Sequence, residues 1–528
     1  MEESRGSGCG PKGYADETEV TVNGKVRRAV KGTTLGELLK KEGLAMPCAG
    51  MGRCGKCRVR AEGVLGEPDV VERKKLSPQE LAGHVRLACR TVILGPSRVE
   101  WEKEAGMEIR LGENASLGKG KPLFHRLGAA VDVGTTTLAA QLYAEEGLLA
   151  QAGMENPQRA YGADVISRVE RSLAGEGKEL KRAVCGGIGE LLHELVDRAG
   201  VPVGQIDTLV ITGNTSMLYL LTGRNPESLS HAPFRADWLA GEWTEGKTLA
   251  LPCPDAKVYF PPCISAFVGA DITCAMLHTG LCSAVKPELL TDIGTNGEIV
   301  LNKDGKLFCC STAAGPAFEG AGLSCGMPGE EGAIFRVECK GNGFECGVIG
   351  DGPAKGICGS GVVDAVSCLL QSGRLDETGF LEDRAVLTGG TILTGGTMPP
   401  GRVELLQEDI RKIQLAKGAI NAGIRTMLHR ADLPLKDLSR LLVAGGFGSS
   451  MDIKNAIAIG LLPDMARERI VICGNAALNG AADLLLDGSR RKTAEEIARK
   501  AVTVELSTDE YFKESYMEGM LFPEEGND

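Results

Sequence analysis

The chain has 528 residues, 43% of them hydrophobic and 24% charged, with a formal net charge of −11. That length exceeds one core and suggests about three domains at roughly 100–200 residues each, and the acidic balance argues against nucleic acid as the main partner. Every apolar run is cut by Gly, Pro or charge well short of the about 18 residues a membrane span needs. Met1-Glu2-Glu3-Ser4-Arg5 begins no basic-then-apolar leader, so a cytoplasmic protein without membrane contact is expected. Eighteen cysteines in such a chain fit a reducing compartment rather than a disulfide framework.

In chain order, residues 1–14 are Gly-rich and polar and are expected to fray. From Glu19 to Val30 two short alternating runs flank Asn23-Gly24, a two-residue hairpin signal. Thr34-Leu35-Gly36-Glu37 fits a capping box, and Leu38 and Leu39 begin an apolar helix face that stops at Gly43. The helix leads into Cys48-Ala49-Gly50-Met51-Gly52-Arg53-Cys54-Gly55-Lys56-Cys57, spaced C-x5-C-x2-C, with Cys89 following after 31 intervening residues. Four thiols in this arrangement are what ligation of a [2Fe-2S] cluster requires. Gly50, Gly52 and Gly55 give the turns and free amides a cluster loop needs. Zinc sites usually pair two C-x2-C knuckles and only one is present, which disfavours a zinc ribbon. Cys48, Cys54, Cys57 and Cys89 are therefore the candidate metal ligands, and the other fourteen cysteines read as buried small hydrophobes.

Ser77-Pro78-Gln79-Glu80 caps a further short helix with Pro at its first position. Hairpin, helix, cluster loop, strand, short helix and final cysteine is the order of a β-grasp ferredoxin, and the x5 spacing looks like the adrenodoxin-type branch rather than the plant type with x4. Residues 15–101 hold 16 Lys/Arg against 11 Asp/Glu, a net +5 that leaves −16 on the rest of the chain. Such a basic module could dock on its own acidic body, dock on an acidic partner, or simply present a solvated surface. Residues 102–126, with several glycines, Pro122 and mixed charges, read as a flexible linker.

Beyond it, Val131-Asp132-Val133-Gly134-Thr135-Thr136-Thr137 ends an apolar strand in Asp, turns at Gly and offers successive hydroxyls. About 160 residues on, Asp292-Ile293-Gly294-Thr295-Asn296-Gly297-Glu298 repeats the pattern, and the recurrence points to internal duplication. Turns of this composition can hold phosphate oxygens with amides and hydroxyls while the Asp holds Mg²⁺, usually through water. Leu442-Val443-Ala444-Gly445-Gly446-Phe447-Gly448 runs a buried strand into glycines, as expected where backbone approaches a ligand. Residues 408–430 read as a helix with a core stripe through Ile410, Ile413, Ile420, Ile424 and Met427. Gly356-Ile357-Cys358-Gly359-Ser360-Gly361 opens a helix ending near Gly373, either to offer amides to an anion or merely to pack tightly.

D-V-G-T-T-T, D-I-G-T-N-G-E and V-A-G-G-F-G, in that order, resemble the phosphate-1, phosphate-2 and adenosine motifs of the acetate kinase, sugar kinase, heat-shock-70 and actin superfamily. With the cysteine motif, residues 16 to 515 resemble the reductive activators of corrinoid proteins. Ile211-Thr212-Gly213-Asn214-Thr215-Ser216-Met217 and Ala314-Gly315-Pro316-Ala317-Phe318-Glu319-Gly320-Ala321 also fit that family. The chain departs from the methylamine-type activators, which carry C-terminal [4Fe-4S] clusters, because Cys473 is its last cysteine.

The resemblance implies an α/β multidomain fold: a β-grasp [2Fe-2S] ferredoxin domain over 16–101, the linker over 102–126, and a duplicated RNase H-like ATPase body in two subdomains, 127–286 and 287–515. It implies an ATP-hydrolysing reductive activase that returns Co(II) corrinoid to Co(I). An electron driven uphill costs about 2.3 kcal/mol per 100 mV, which ATP can supply. Asp132 and Asp292 would serve the Mg²⁺-phosphate site, with Glu298 or Glu319 orienting the attacking water. Gly134, Thr135, Thr136, Thr137, Gly294, Thr295 and Asn296 would hold the phosphates, and Gly445, Gly446 and Phe447 the adenosine. The implied cofactors are a [2Fe-2S] cluster, ATP and Mg²⁺. The implied partners are a corrinoid protein of a methyltransferase system, an upstream electron donor and a possible second copy of the chain. Two other readings stand beside it: an ATP-dependent donor of the dehydratase or dearomatising-reductase type, whose [4Fe-4S] cluster this cysteine spacing disfavours, and a nucleotide-binding redox sensor without reductive activity.

Overall fold

The computed structural model describes residues 16–40, 44, 52, 55, 57–101, 120–340, 343–350, 352–388, 402–446 and 451–523. The chain divides into two compact units, one of residues 1–105 with 160–162 and one of residues 106–159 with 163–528. Neither unit has a helix long and apolar enough to cross a membrane among the described residues.

The first unit runs β1 (Glu17–Val22), β2 (Lys25–Val30), α1 (Leu35–Leu39), β3 (Arg58–Leu65), α2 (Val70–Lys75), α3 (Pro78–Ala82), β4 (Val85–Leu87) and β5 (Ile93–Glu100). The hairpin turns at Asn23-Gly24, both with positive φ (45° and 80°), as the two-residue signal requires. The sheet order is β2-β1-β5-β3-β4, with β1 parallel to β5. Its core is Val20, Leu35, Leu39, Leu87, Ile93 and Val99, none of them exposed. α3 has the expected capping box, Ser77 with Glu80. α2, which sequence reading overlooked, has a second one, Asp69 with Glu72. Glu72 is buried and takes Arg86 Nε at 3.0 Å and Nη2 at 2.9 Å, and the Leu87 amide at 2.9 Å. Burial alone would raise its carboxyl, but these donors outweigh it and hold Glu72 below its ordinary range. A buried ion pair thus ties α2 to β4.

The second unit begins before its first strand: Leu123 N donates to Leu485 O at 2.8 Å and Phe124 is buried. It continues β6 (Leu127–Val133), β7 (Thr137–Ala144), β8 (Gly147–Glu155), α4 (Val165–Arg171), α5 (Gly177–Ala199), β9 (Ile206–Gly213), α6 (Thr215–Thr222), α7 (Glu227–Ser230), β10 (Glu242–Glu245), β11 (Lys257–Phe260) and α8 (Ala270–Thr279). The second half follows as β12 (Glu288–Ile293), β13 (Gly297–Lys303), β14 (Lys306–Thr312), β15 (Ala333–Lys340), β16 (Gly343–Val348), β17 (Gly356–Ile357), α9 (Gly359–Gln371), β18 (Ala385–Val386), β19 (Glu404–Leu405), α10 (Gln407–Arg430) and β20 (Arg440–Ala444). It closes with α11 (Ile453–Ala458), β21 (Ile470–Gly474), α12 (Ala476–Leu486), α13 (Arg490–Lys500), β22 (Val502–Thr503) and α14 (Glu510–Gly519).

Two six-stranded sheets dominate, ordered β8-β7-β6-β9-β11-β10 and β22-β14-β13-β12-β20-β21. Leaving aside the added edge strands, each is an antiparallel three-strand meander followed by two parallel strands, which is the duplication announced by the repeated D-[VI]-G-T. One apolar cluster joins Ala130 and Val210 of the first sheet to Leu290 and Leu442 of the second through Met276 of α8 and Leu478 of α12. The two helices cross so closely that a Cβ on Gly480 would lie 2.0 Å from the Cys274 carbonyl oxygen. Only glycine fits there.

Candidate nucleotide and electron-transfer sites

In each sheet a central strand carries Asp as its penultimate residue, Asp132 in β6 and Asp292 in β12, and turns directly into its antiparallel neighbour. The β6–β7 turn is held from behind by three donors. Asn156 Nδ2 bonds the Gly134 carbonyl at 2.8 Å, Arg168 Nη2 the Thr135 carbonyl at 2.5 Å, and the Asn156 amide the Thr136 carbonyl at 2.8 Å. With its carbonyls tied into the protein, the turn keeps its amides available to phosphate oxygens. Gly134 is required sterically, since a Cβ there would lie 2.8 Å from the Thr137 carbonyl. In the β12–β13 turn, Gly294 N bonds the Asn296 carbonyl at 3.0 Å and the Thr295 carbonyl accepts from Gly315 N at 2.8 Å.

The two turns meet. Thr136 Oγ1 and Thr295 Oγ1 are 3.2 Å apart, and both donate to Glu319 Oε2, Thr136 at 2.7 Å. Glu319 sits at the end of a single 3₁₀ turn, Pro316–Glu319. Around them lie further carboxylates, Asp132, Asp271 and Asp292 half-buried and Glu298 buried. Burial pushes Asp132 up to about 6 against the pull of Asn475, whose Nδ2 bonds it at 3.1 Å. Burial, then the charges of Asp271 and Asp132, push Asp292 up to about 8. Asp271, in the first turn of α8, is raised to about 7 by burial and then by Asp132. Glu298 is raised well above its ordinary value by burial and then by Asp271 and Asp292, and Asn214 Nδ2 lies 3.5 Å from it.

Like charges that raise one another's pKa make a site that favours a cation. Among the described residues no group of three His, Cys, Asp or Glu side chains is placed to hold a metal ion by itself, so a cation here would complete its shell with water and phosphate oxygens, as Mg²⁺ does. The donors present, carboxylates, hydroxyls and turn amides, fit Mg²⁺ and a nucleotide phosphate.

The glycines of the third motif separate into two roles. Gly445 has φ 107°, and a Cβ there would lie 2.4 Å from Ile293 O and 3.0 Å from Asp292 Oδ1. Glycine is required there because β20 lies against the β12–β13 turn. A Cβ on Gly446 would meet nothing within 4 Å. Phe447 lies outside the described residues. Sequence reading missed Asp271, Asn156, Arg168 and Asn475. Arg168 is wholly buried, and burial lowers it to about 9; nothing in its neighbourhood marks it. Asp271 had a signal, Gly269-Ala270-Asp271 opening an apolar helix.

In the first unit Cys57 and Cys89 are buried with their Sγ atoms 3.3 Å apart, side by side without the roughly 2.05 Å bond of a disulfide. Two thiols brought side by side from distant segments, one before β3 and one after β4, fit an iron–sulfur cluster. Cys48 and Cys54 lie outside the described residues.

Residues 20–94 match the 2Fe-2S iron-sulfur cluster binding domain, 127–284 the RACo middle region, and 286–528 the C-terminal domain of RACo, the ASKHA domain. The corrinoid activation enzyme RamQ of Eubacterium limosum is 36% identical over 428 residues, covering 76% of this chain and 71% of RamQ. The chain belongs to the RACo family of corrinoid activation enzymes. The [Co(II) methylated amine-specific corrinoid protein] reductase of Methanosarcina barkeri is 27% identical over 428 residues, covering 74% of this chain and 76% of that protein. A solved structure titled reductive activator for corrinoid,iron-sulfur protein matches with a TM-score of 0.71 at 28% identity, covering 97% of this chain and 99% of that one. Membership brings an iron–sulfur ferredoxin domain and an ASKHA domain into one chain, as the cysteine and D-[VI]-G-T motifs lead one to expect.

Proposed function

We propose that the protein is an ATP-dependent reductive activator that returns an inactive Co(II) corrinoid protein to Co(I). The observation that carries this is the meeting of the two duplicated turns, Thr136 against Thr295 over Glu319, in a chain that also carries a ferredoxin domain of the same family. Cys48, Cys54, Cys57 and Cys89 would hold the [2Fe-2S] cluster, which when bound and reduced would supply the one electron that Co(II) takes up, while ATP and water become ADP and phosphate. Mg²⁺ would neutralise the phosphates when bound. Asp132 and Asp292 would hold it through water, Thr135, Thr136 and Thr295 would donate to the β- and γ-phosphates, and Gly446 would leave room for the adenosine. A base is most effective with a pKa near the working pH, and Asp271, at about 7, is matched to taking a proton from the attacking water. Glu319 would exchange its threonine hydroxyls for the phosphate's surroundings, making its release a signal that nucleotide is in place. Shifting a two-state partner from 1:99 to 99:1 needs about 5.5 kcal/mol of differential affinity, within reach of an interface that favours the easily reduced form of cobalt.

The test is optical. The reduced protein mixed with Co(II) corrinoid protein should develop the Co(I) absorbance only when Mg-ATP is present. Equal Co(I) formation with and without ATP would refute the reading.

A further inference from the structure

Acidic and basic side chains are sorted around the cysteine loop of the ferredoxin unit. α2 lies directly against that loop: a Cβ on Gly52 would meet Val71 Cγ1 at 3.1 Å, and one on Gly55 would meet Lys75 Cβ and Cδ at 3.8 Å. Three carboxylates nearby are each paired with an arginine. Glu72 is buried on Arg86, Asp69 takes Arg90 at 2.7 Å, and Glu80 takes Arg58 at 3.2 Å. The bases of α2 turn outward. Arg73, Lys74 and Lys75 are consecutive and exposed, and among the described residues their side chains make one hydrogen bond, Arg73 Nε to the Pro68 carbonyl at 2.9 Å. Val70, 83% exposed, adds an apolar spot at the start of the same helix. Glu67 is the exposed acid of the preceding segment. From Gly52 to Arg60 the sequence has four basic residues and no acidic one. The charge therefore changes sign at the electron port of a chain whose net charge is −11.

We propose that the outer face of α2 is the docking surface for an acidic one-electron carrier protein, the donor that reduces this unit's cluster. The proposal rests on reading the ferredoxin unit as the electron port. Transient redox encounters are small, and charge around an apolar spot sets their on-rate more than their affinity. The rest of the chain, at −16, repels an acidic carrier, while three outward cations beside the cluster loop attract it, so the field selects the productive approach. The step moves one electron from the reduced carrier to the oxidised cluster, with no bond or proton changing place.

Stopped-flow reduction of the full-length holoprotein decides it, with a strongly acidic reduced plant-type ferredoxin as one donor and the methyl viologen radical cation as the other. The wild-type rate with ferredoxin should fall with salt, and the Arg73→Glu, Lys74→Glu double variant should lose about 10-fold or more at low ionic strength with its salt dependence flattened or reversed. The viologen rate should hold or rise, and the cluster spectrum should stay unchanged. Lys74→Gln, a milder change, should lose about two- to threefold on the same steering argument, keeping the test open if the double variant fails to hold its cluster. A ferredoxin rate independent of salt, or equal in wild type and variant, would overturn the proposal. So would a variant that takes electrons normally but, pre-reduced, no longer forms Co(I) with ATP, because the face would then dock the corrinoid partner. Salt-steered reduction in a wild type that forms no Co(I) would support this surface while refuting the activator function.

Discussion

Asp271 and Asp292 share one charge-laden pocket yet should fail differently. Asp292 lies next to the end of β12 and close to Gly445, so its loss would remove a wall of the proposed phosphate site as well as a charge. Asp292→Ala should keep the [2Fe-2S] spectrum and abolish ATP hydrolysis together with Mg-dependent nucleotide binding, read by calorimetry. Asp271 opens α8 on the first half, just after a backbone approach that only glycine permits, since a Cβ on Gly269 would lie 2.6 Å from Asn214 Cα. Asp271→Asn keeps shape and hydrogen bonding but removes the proposed base. It should lower the ATPase kcat by about 10²-fold or more, the typical worth of general-base catalysis, while Mg-ATP affinity changes by less than about threefold; a large loss of affinity with kcat intact would give Asp271 a binding role instead.

At the scale of elements, α2 is held by one buried pair. Removing one partner of such a pair leaves an uncompensated charge and costs about 3–5 kcal/mol. Glu72→Gln, which strands Arg86 at 7% exposure, should therefore loosen residues 58–100, seen as lost hydrogen-exchange protection at neutral pH with no change in α8 or α12. The pH dependence has a definite sign. The folded Glu72 titrates below its ordinary 4.5, so its contribution is complete above about that pH and disappears as pH falls through the folded value. Protection in the wild type should drop below about pH 4.5, while the Gln variant, already weakened, should show a shallower slope.

The same element shows what the sequence could and could not reveal. The Asn23-Gly24 hairpin, the Ser77 cap and the helix over 408–430 were legible because their chemistry is local. α2 had an equally local D-x-x-E box but lay hidden in a short segment between cysteine ligands. The repeated D-[VI]-G-T made the duplicated sheets legible. Asn156, Arg168 and Asn475 were not, because each reaches the site from a distant segment and no spacing records the meeting. Gly445 was legible as a glycine, but its reason, the approach of β20 to Asp292, belongs to the packing.

At the scale of the molecule, each unit carries its own apolar core, the ferredoxin cluster through Val20, Leu87 and Val99 and the body cluster spanning both sheets through α8 and α12. Separate cores imply separate cooperative transitions. Function then joins two independently folded parts, and damage to one should leave the other's chemistry standing. Cys54→Ser tests this at the sharpest point. Loss of one thiolate ligand should bleach the [2Fe-2S] absorbance and abolish Co(I) formation, because the electron has no carrier. Destabilisation should stay within the first unit, so scanning calorimetry should show the ferredoxin transition moving down and the body transition unmoved. Basal ATP hydrolysis and nucleotide affinity should persist, since every residue of the phosphate turns lies beyond residue 130. Simultaneous loss of ATP binding, or a single transition shifting as one, would mean the two cores fold as a unit and that the cluster is a structural part of the ATPase.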